Sequence, residues 1–254
     1  MIENKLKRRL QAGGTVVGTM VCDTRSPAIA QALAVAGFDY FILDTEHGSY
    51  SLETVADMMV VARLTGITPI VRVPDSSYPF IARTMDAGAL GVMVPRIKTR
   101  AQVEQVVRSV KYPPVGERGM NNARTNTDYR PMGMAEYVAR ANEETMVIVQ
   151  VETREAVEDI DAILAIPGVD AALMGPADLS ASLGVMDPGH PRVIEYIQRV
   201  VDAAKRRGLP SGTHVLDLQT LKAWRDRGMR LLLYHYDFGL IMSGGAAAIQ
   251  ELRA

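Results

Sequence analysis

The chain has 254 residues and a formal net charge of −1, with 28 Lys and Arg against 29 Asp and Glu; no basic stripe stands out, which excludes the electrostatic footprint of a nucleic-acid binder. Hydrophobic residues make up 48% of it and aromatic residues only 6%, the aliphatic balance that buried parallel sheets favour. The single cysteine, Cys22, rules out an intramolecular disulfide and a cysteine-based metal cluster, and no apolar run approaches the ~20 residues that span a bilayer.

Residues 1–14 are charged and amphipathic with no apolar signal core, the pattern of a cytoplasmic protein without a membrane partner. Residues 15–21 read as a first strand, with Cys22 a small buried residue there, and 27–36 as a helix closed by Gly37. A second strand over 40–43 delivers Asp44, Glu46 and His47 into a Gly-Ser turn, and a helix follows over 52–64, stopped by Gly66. The third strand, 67–73, carries Arg72 and ends at Pro74. A helix over 79–86 and a short fourth strand over 91–94 come next, then a helix over 101–110. Residues 112–132 interrupt the alternation with two successive prolines, two glycines and the polar run 121–126; so long a connection is usually functional or disordered. A short helix over 134–141 leads into a fifth strand, 146–149, with Gln150 and Glu152 at its end. The spacing of Ala156, Ile160, Ile163 and Leu164 predicts one amphipathic helix. A sixth strand over 169–174 breaks at Gly175-Pro176 and delivers Asp178. A helix over 193–207, a strand over 211–215, a helix over 218–227, a strand over 231–234 and a helix over 238–252 complete the chain. Eight strand-helix pairs without a composition break imply a single α/β domain over 1–254, a (β/α)8 TIM barrel. The glycine fingerprint that would favour a doubly wound open sheet is absent.

Catalytic groups of such a barrel gather where strands end. Parallel strands joined by a crossover helix end on one edge, so Glu152 and Asp178 come side by side although they are 26 positions apart. Two carboxylates there suit a divalent cation with oxygen ligands, the shell being completed by waters or substrate oxygens; the competing reading is two exposed acids serving helix N-termini. Gln150 shares strand parity with Glu152, so both side chains point one way. Gly175-Pro176-Ala177 fixes the backbone before Asp178 and lets a ligand approach closely. Arg72 lies in an otherwise apolar strand, where an unpaired charge is expensive. It reads either as a salt bridge to an acid such as Glu46 or as a guanidinium fork for a carboxylate or enolate oxygen. Asp44 sits three residues from His47 in a turn, close enough to hydrogen-bond a ring nitrogen and make the imidazole a general acid/base. His214 and His235 end strands seven and eight with no assigned role. No nucleophile elbow and no Schiff-base lysine are evident.

The chain resembles the HpcH/HpaI aldolases, the metal-dependent class II pyruvate aldolases. The resemblance runs through residues 38–47, Val71-Arg72-Val73-Pro74 and Tyr112-Pro113-Pro114, and is strongest in Gln150-Val151-Glu152-Thr153 and Gly175-Pro176-Ala177-Asp178-Leu179-Ser180. It implies a barrel whose last helix is exchanged between subunits of a homo-oligomer, a hexamer built as a trimer of dimers. It also implies Mg²⁺, Mn²⁺ or Co²⁺ on Glu152 and Asp178, chelated by pyruvate or a related 2-oxo acid. Arg72 would then stabilise the enolate oxygen, and His47, paired with Asp44, would move the proton at the aldol hydroxyl. Gln150 and the backbone around Gly175, Pro176 and Ala177 would hold the pyruvate carboxylate. The implied reaction is reversible cleavage of 4-hydroxy-2-oxo acids to a 2-oxo acid and an aldehyde through a metal-bound enolate. The rivals are an oxaloacetate-type decarboxylase on the same site, a non-catalytic 2-oxo-acid-binding barrel and a CoA-ester lyase. The sequence departs from many relatives at 120–126 and at Tyr234-His235-Tyr236-Asp237, so the aldehyde-binding half is expected there.

Overall fold

The computed structural model describes residues 3–254. Eight parallel strands close into a barrel in chain order: β1 (Val16–Val21), β2 (Tyr40–Asp44), β3 (Thr68–Arg72), β4 (Gly91–Val94), β5 (Met146–Val151), β6 (Ala171–Met174), β7 (Ser211–Val215) and β8 (Leu231–Tyr236). β1 pairs with both β2 and β8, which leaves no sheet edge. Alternate residues point inward. Val16, Met20, Tyr40, Ile42, Ile70, Met93, Met146, Ile148, Leu173, Leu231 and Leu233 fill the barrel interior as one buried cluster. The other parity packs outward on the helices as a second, larger cluster. Gly18 belongs to the inner face because a Cβ there would stand 2.5 Å from the ring of Tyr40, whose hydroxyl crosses the barrel to donate to the Leu232 carbonyl at 3.0 Å.

Helices α1 (Lys5–Gln11), α2 (Ala28–Val35), α3 (Leu52–Thr65), α4 (Tyr78–Asp86), α5 (Arg100–Val110), α6 (Met134–Glu144), α7 (Arg154–Glu158), α8 (Ile160–Ile163), α9 (Pro176–Ser182), α10 (Pro191–Arg206), α11 (Leu218–Asp226) and α12 (Asp237–Arg253) account for the rest. The strands and long helices match the sequence reading to within a few residues. Three differences have physical causes. Within the charged N-terminal stretch Lys5–Gln11 forms α1, whose Leu6 and Leu10 join the inner cluster. The helix expected across 154–164 breaks at Asp159, which caps α7 at one side and starts α8 at the other. Asp178 lies in the first turn of α9 rather than in a loop, with Pro176 at the first helical position, where its missing N–H costs nothing.

The 112–132 segment packs against the surrounding helices. Arg63, near the C-terminal end of α3, donates to Asp128 at 2.8 Å, Arg118 pairs with Asp86 at the end of α4, and Tyr112, Tyr137 and Asn126 hydrogen-bond one another. None of residues 112–132 lines a cavity at the strand ends, so the expected aldehyde-binding role of 120–126 finds no support within this chain. Along α12, Phe238, Ile241, Met242, Ile249 and Leu252 are all exposed. Among the described residues no helix is long and apolar enough to cross a membrane.

Candidate active site

Strand parity decides which side chains reach the mouth. Tyr40 and Ile42 point inward, so Asp44 does too; Ile70 is followed by Arg72, and Met146 and Ile148 by Gln150 and Glu152. The β2–β3 register sets Asp44 directly beside Arg72. The two form a bidentate fork: Arg72 Nε donates to Asp44 Oδ1 at 2.8 Å and Nη2 to Oδ2 at 2.6 Å. The third guanidinium nitrogen, Nη1, stands 3.2 Å from Glu46 Oε2. Asp44, 1% exposed, also accepts the backbone N–H groups of Glu46 at 3.0 Å and His47 at 3.3 Å. Burial pushes its carboxyl up, but the two Arg72 hydrogen bonds, the Arg72 charge and these amides outweigh it and hold Asp44 below the ordinary carboxylate value. Burial likewise opposes the Arg72 charge, and Asp44 and Glu46 reverse the effect, raising Arg72 further.

This geometry corrects the expected Asp44–His47 ring pair. Asp44 accepts from Arg72 and from backbone amides, and the His47 ring turns outward, its side chain 68% exposed with Nε2 3.8 Å from Glu46 Oε2. The acid beside the imidazole is therefore Glu46, which burial raises above its ordinary value despite the neighbouring Arg72 and His47.

Glu152 and Asp178 do come together. With Glu46, His47 and Arg96 they line a hollow of about 300 Å³. Glu152 is buried; its Oε1 accepts the Arg96 backbone N–H at 2.6 Å and its Oε2 accepts a hydrogen bond from Gln150 Nε2. Arg96 adopts a left-handed φ of 56°, which aims that N–H. The Pro95-Arg96 strand ending gave no hint of the role, because it depends on backbone rather than side chain. Burial drives the Glu152 carboxyl up to about 7; the Arg96 N–H opposes the shift, and the charges of Asp178 and Glu46 add to it. Gly175 packs so closely that a Cβ there would lie 2.7 Å from Glu152 Oε2 and 3.3 Å from Gln150 Nε2, which explains the glycine.

A second, larger cavity of about 670 Å³ adjoins the first through Asp178 and is lined by Arg72, Gln150, Gly175, Pro176, Ala177 and His214 before it extends between α10 and α11. Gln150 Oε1 is buried without a hydrogen-bond partner among the described residues. The expected site residues thus divide: Arg72, Gln150 and the 175–177 backbone on the larger cavity, His47 and Glu152 on the smaller, Asp178 on both, and Asp44 beneath them as the anchor of Arg72. His235 does not line either cavity, and Asp237 is a backbone clamp, accepting the N–H groups of Cys22, Asp23 and Thr24 at 3.2, 3.2 and 2.8 Å.

The chemistry of the donor set fits a hard divalent cation. Two carboxylates face one hollow, one of them buried with its negative charge poorly compensated, and a cation between them would restore that charge. Among the described residues no third Asp, Glu, His or Cys completes a protein-only ligand group, so water and substrate oxygens must supply the remaining positions, as Mg²⁺-type ions accept.

A closed (β/α)8 barrel with an acid pair, a forked arginine and a polar cavity at the C-terminal ends of its strands is an enzyme scaffold carrying its site where such barrels carry theirs. Comparison with known proteins narrows the class. The HpcH/HpaI aldolase/citrate lyase family model matches residues 20–242. The chain is 34% identical to a hydroxypyruvate/pyruvate aldolase of Paraburkholderia phytofirmans over 99% of its own length and 98% of the relative's, and 33% identical to a 5-keto-4-deoxy-D-glucarate aldolase of Shigella sonnei over 82% and 81%. Among solved structures, an HpcH/HpaI aldolase from Desulfitobacterium hafniense superposes with a TM-score of 0.92 at 37% identity, covering 98% of this chain and 96% of that one. The chain belongs to the HpcH/HpaI aldolase/citrate lyase family.

Proposed function

We propose that the protein is a divalent-metal-dependent aldolase that reversibly cleaves 4-hydroxy-2-oxo acids to pyruvate, or a related 2-oxo acid, and an aldehyde. The observation that carries this reading is the placement of Glu152 and Asp178 on one hollow with Arg72 and Gln150 on the cavity that adjoins it. Glu152 and Asp178 would hold Mg²⁺, Mn²⁺ or Co²⁺, which when bound supplies Lewis-acid polarisation to the 2-oxo acid.

The chain's own groups do the rest. Gln150 and the 175–177 backbone border the space for the donor carboxylate, and the unpartnered Gln150 Oε1 is turned to good use by a protonated or hydrated ligand group there. Arg72 presents a cation, held rigid by Asp44, to the oxygen on which negative charge develops as the carbon–carbon bond breaks. Asp44 acts through Arg72 and is a positioning residue. His47, beside Glu46 at the open rim, takes and returns the proton of the aldol hydroxyl. The relatives named as aldolases support this reading over decarboxylation. A side-by-side assay separates the two: aldehyde release from a 4-hydroxy-2-oxo acid against pyruvate release from oxaloacetate. The aldolase reading expects the first to dominate; turnover of oxaloacetate alone would contradict it.

The partner of α12 belongs to the same proposal. Phe238, Ile241, Met242, Ile249 and Leu252 recur at helical spacing and stay exposed, Ile241 at 63% and Leu252 at 83%. Such an apolar stripe needs a cover, and exchange of α12 between subunits of a hexamer supplies one.

A further inference from the structure

His214 is a chemically specific group that the proposed reaction leaves unused. It ends β7 on the inner parity, on the wall of the larger cavity that also carries Arg72 and Gln150. Its Nε2 lies 3.0 Å from the backbone carbonyl of His235. A carbonyl can only accept, so Nε2 must carry the proton, and in the neutral ring Nδ1 must carry the lone pair. Among the described residues Nδ1 has no hydrogen-bond partner, yet it is not sealed from solvent, and the residue lines the cavity. Burial holds the imidazole below its ordinary value, the His235 carbonyl opposing the shift, which keeps the ring neutral and the tautomer single.

The carbonyl that imposes this tautomer is itself placed by a backbone irregularity. Gly18 pairs with Leu233, but Met20 pairs with Tyr236, so β8 spends three steps where β1 spends two. That is a β-bulge, of the kind that re-aims groups beside active sites. His235 takes the extra position with a left-handed φ of 59°, a conformation that costs a side-chain-bearing residue energy and persists when its surroundings demand it. Its own ring is carried away from the cavity, edge-on to Tyr234 with centroids 5.5 Å apart and packed so closely on Gly239 that a Cβ there would meet the ring at 2.0 Å. The residue thus contributes its carbonyl to the site and its ring to the wall behind.

We propose that His214 Nδ1 is a built hydrogen-bond acceptor for a hydroxyl group on the substrate, making the enzyme selective for hydroxylated reaction partners. The inference deepens the aldolase reading and rests on it. The hydroxyl could belong to the donor, as in a 3-hydroxy-2-oxo acid, or to the aldehyde, as in a 2-hydroxyaldehyde. The cavity runs past His214 to Leu216, Thr220 and Trp224, which leaves room there for the substituents of the aldehyde.

The test uses full-length enzyme supplied with Mn²⁺ and reads kcat/KM for matched pairs. Pyruvate is combined with propanal or with 2-hydroxypropanal, and propanal is combined with pyruvate or with 3-hydroxypyruvate. In His214→Gln the amide nitrogen can still donate to the His235 carbonyl, but the side chain no longer places an acceptor at the Nδ1 position. The preference for 2-hydroxypropanal over propanal, read as the ratio of the two kcat/KM values, is expected to fall about tenfold, the worth of one net hydrogen bond. His214→Asn, whose side-chain oxygen sits close to the Nδ1 position, is expected to retain much of the preference and serves if the first variant folds poorly. Loss of the 3-hydroxypyruvate preference instead supports the acceptor role and assigns the hydroxyl to the donor. Unchanged ratios in both arms overturn the inference while leaving the aldolase reading intact. No turnover of any pair by the metal-supplied wild type defeats the aldolase reading and this inference with it.

Discussion

Asp44→Asn separates the structural account of the mouth from the simpler view in which Asp44 orients His47. In the structure Asp44 Oδ1 takes three donors, Arg72 Nε and the Glu46 and His47 amides, while Oδ2 takes Arg72 Nη2 alone. An asparagine can keep its oxygen at the three-donor position, but its amide nitrogen then faces Nη2, donor against donor, and the charge is gone. Removing one partner of a buried ion pair costs about 3–5 kcal/mol. Glu46 at 3.2 Å still neutralises part of the guanidinium, so the expected loss is about 2–3 kcal/mol. At roughly 2–4 °C per kcal/mol for a chain of this size, Tm should fall by about 4–12 °C. Thermal unfolding followed by circular dichroism, run beside an aldol assay, reads both effects. Stability should drop together with kcat, because Arg72 loses its anchor. A variant with wild-type Tm and lost activity would refute the scaffold role and return Asp44 to a direct part in proton transfer.

Three further outcomes follow from the same structure. Asp44 and Asp237 are both held below the ordinary aspartate value, in each case by hydrogen bonds that outweigh burial; a depressed carboxyl stabilises the fold above its unfolded-state value and loses that contribution as pH falls through the folded-state one. Urea midpoints should therefore drop as pH falls below about 4, beneath the range in which the raised Glu152 titrates, and a flat profile from about pH 4 to 3 would contradict the assignment. Gly239→Ala would ordinarily favour a helix by about 1 kcal/mol, but the added Cβ would lie 2.0 Å from the His235 ring, so the urea midpoint should fall by about 1–3 kcal/mol equivalent; a stabilised variant would show that the bulge is soft. Ile249→Glu, on the exposed stripe of α12, should lower the mass measured by light scattering after gel filtration, whereas an unchanged mass would mean that the stripe has no subunit to cover.

Much of the fold was legible because its signals are local. Short apolar runs ending in polar residues, Gly or Pro mark the eight strands, and strand parity puts Gln150 and Glu152 on one face. The acid pair was legible for the same reason, since β-α-β topology brings Glu152 and Asp178 to one edge. What escaped depends on long-range register or on backbone. That Asp44 pairs with Arg72 rather than with nearby His47 follows from the β2–β3 alignment. The Arg96 amide that holds Glu152 and the His235 carbonyl that holds His214 arise from left-handed φ angles on residues whose type does not announce them. The 112–132 loop looked functional by length and polarity, but its destination was set by Arg63, Asp86 and Tyr137, partners that local pattern does not reveal.

The most direct test of the central claim is pyruvate release from a 4-hydroxy-2-oxo acid by enzyme stripped with chelator, then resupplied with Mg²⁺, Mn²⁺ or Co²⁺. The account predicts that the stripped wild type is inactive and recovers with added metal, while Glu152→Ala and Asp178→Ala remain inactive at every metal concentration that restores the wild type. Full activity without metal, or wild-type rates in either variant, would contradict it.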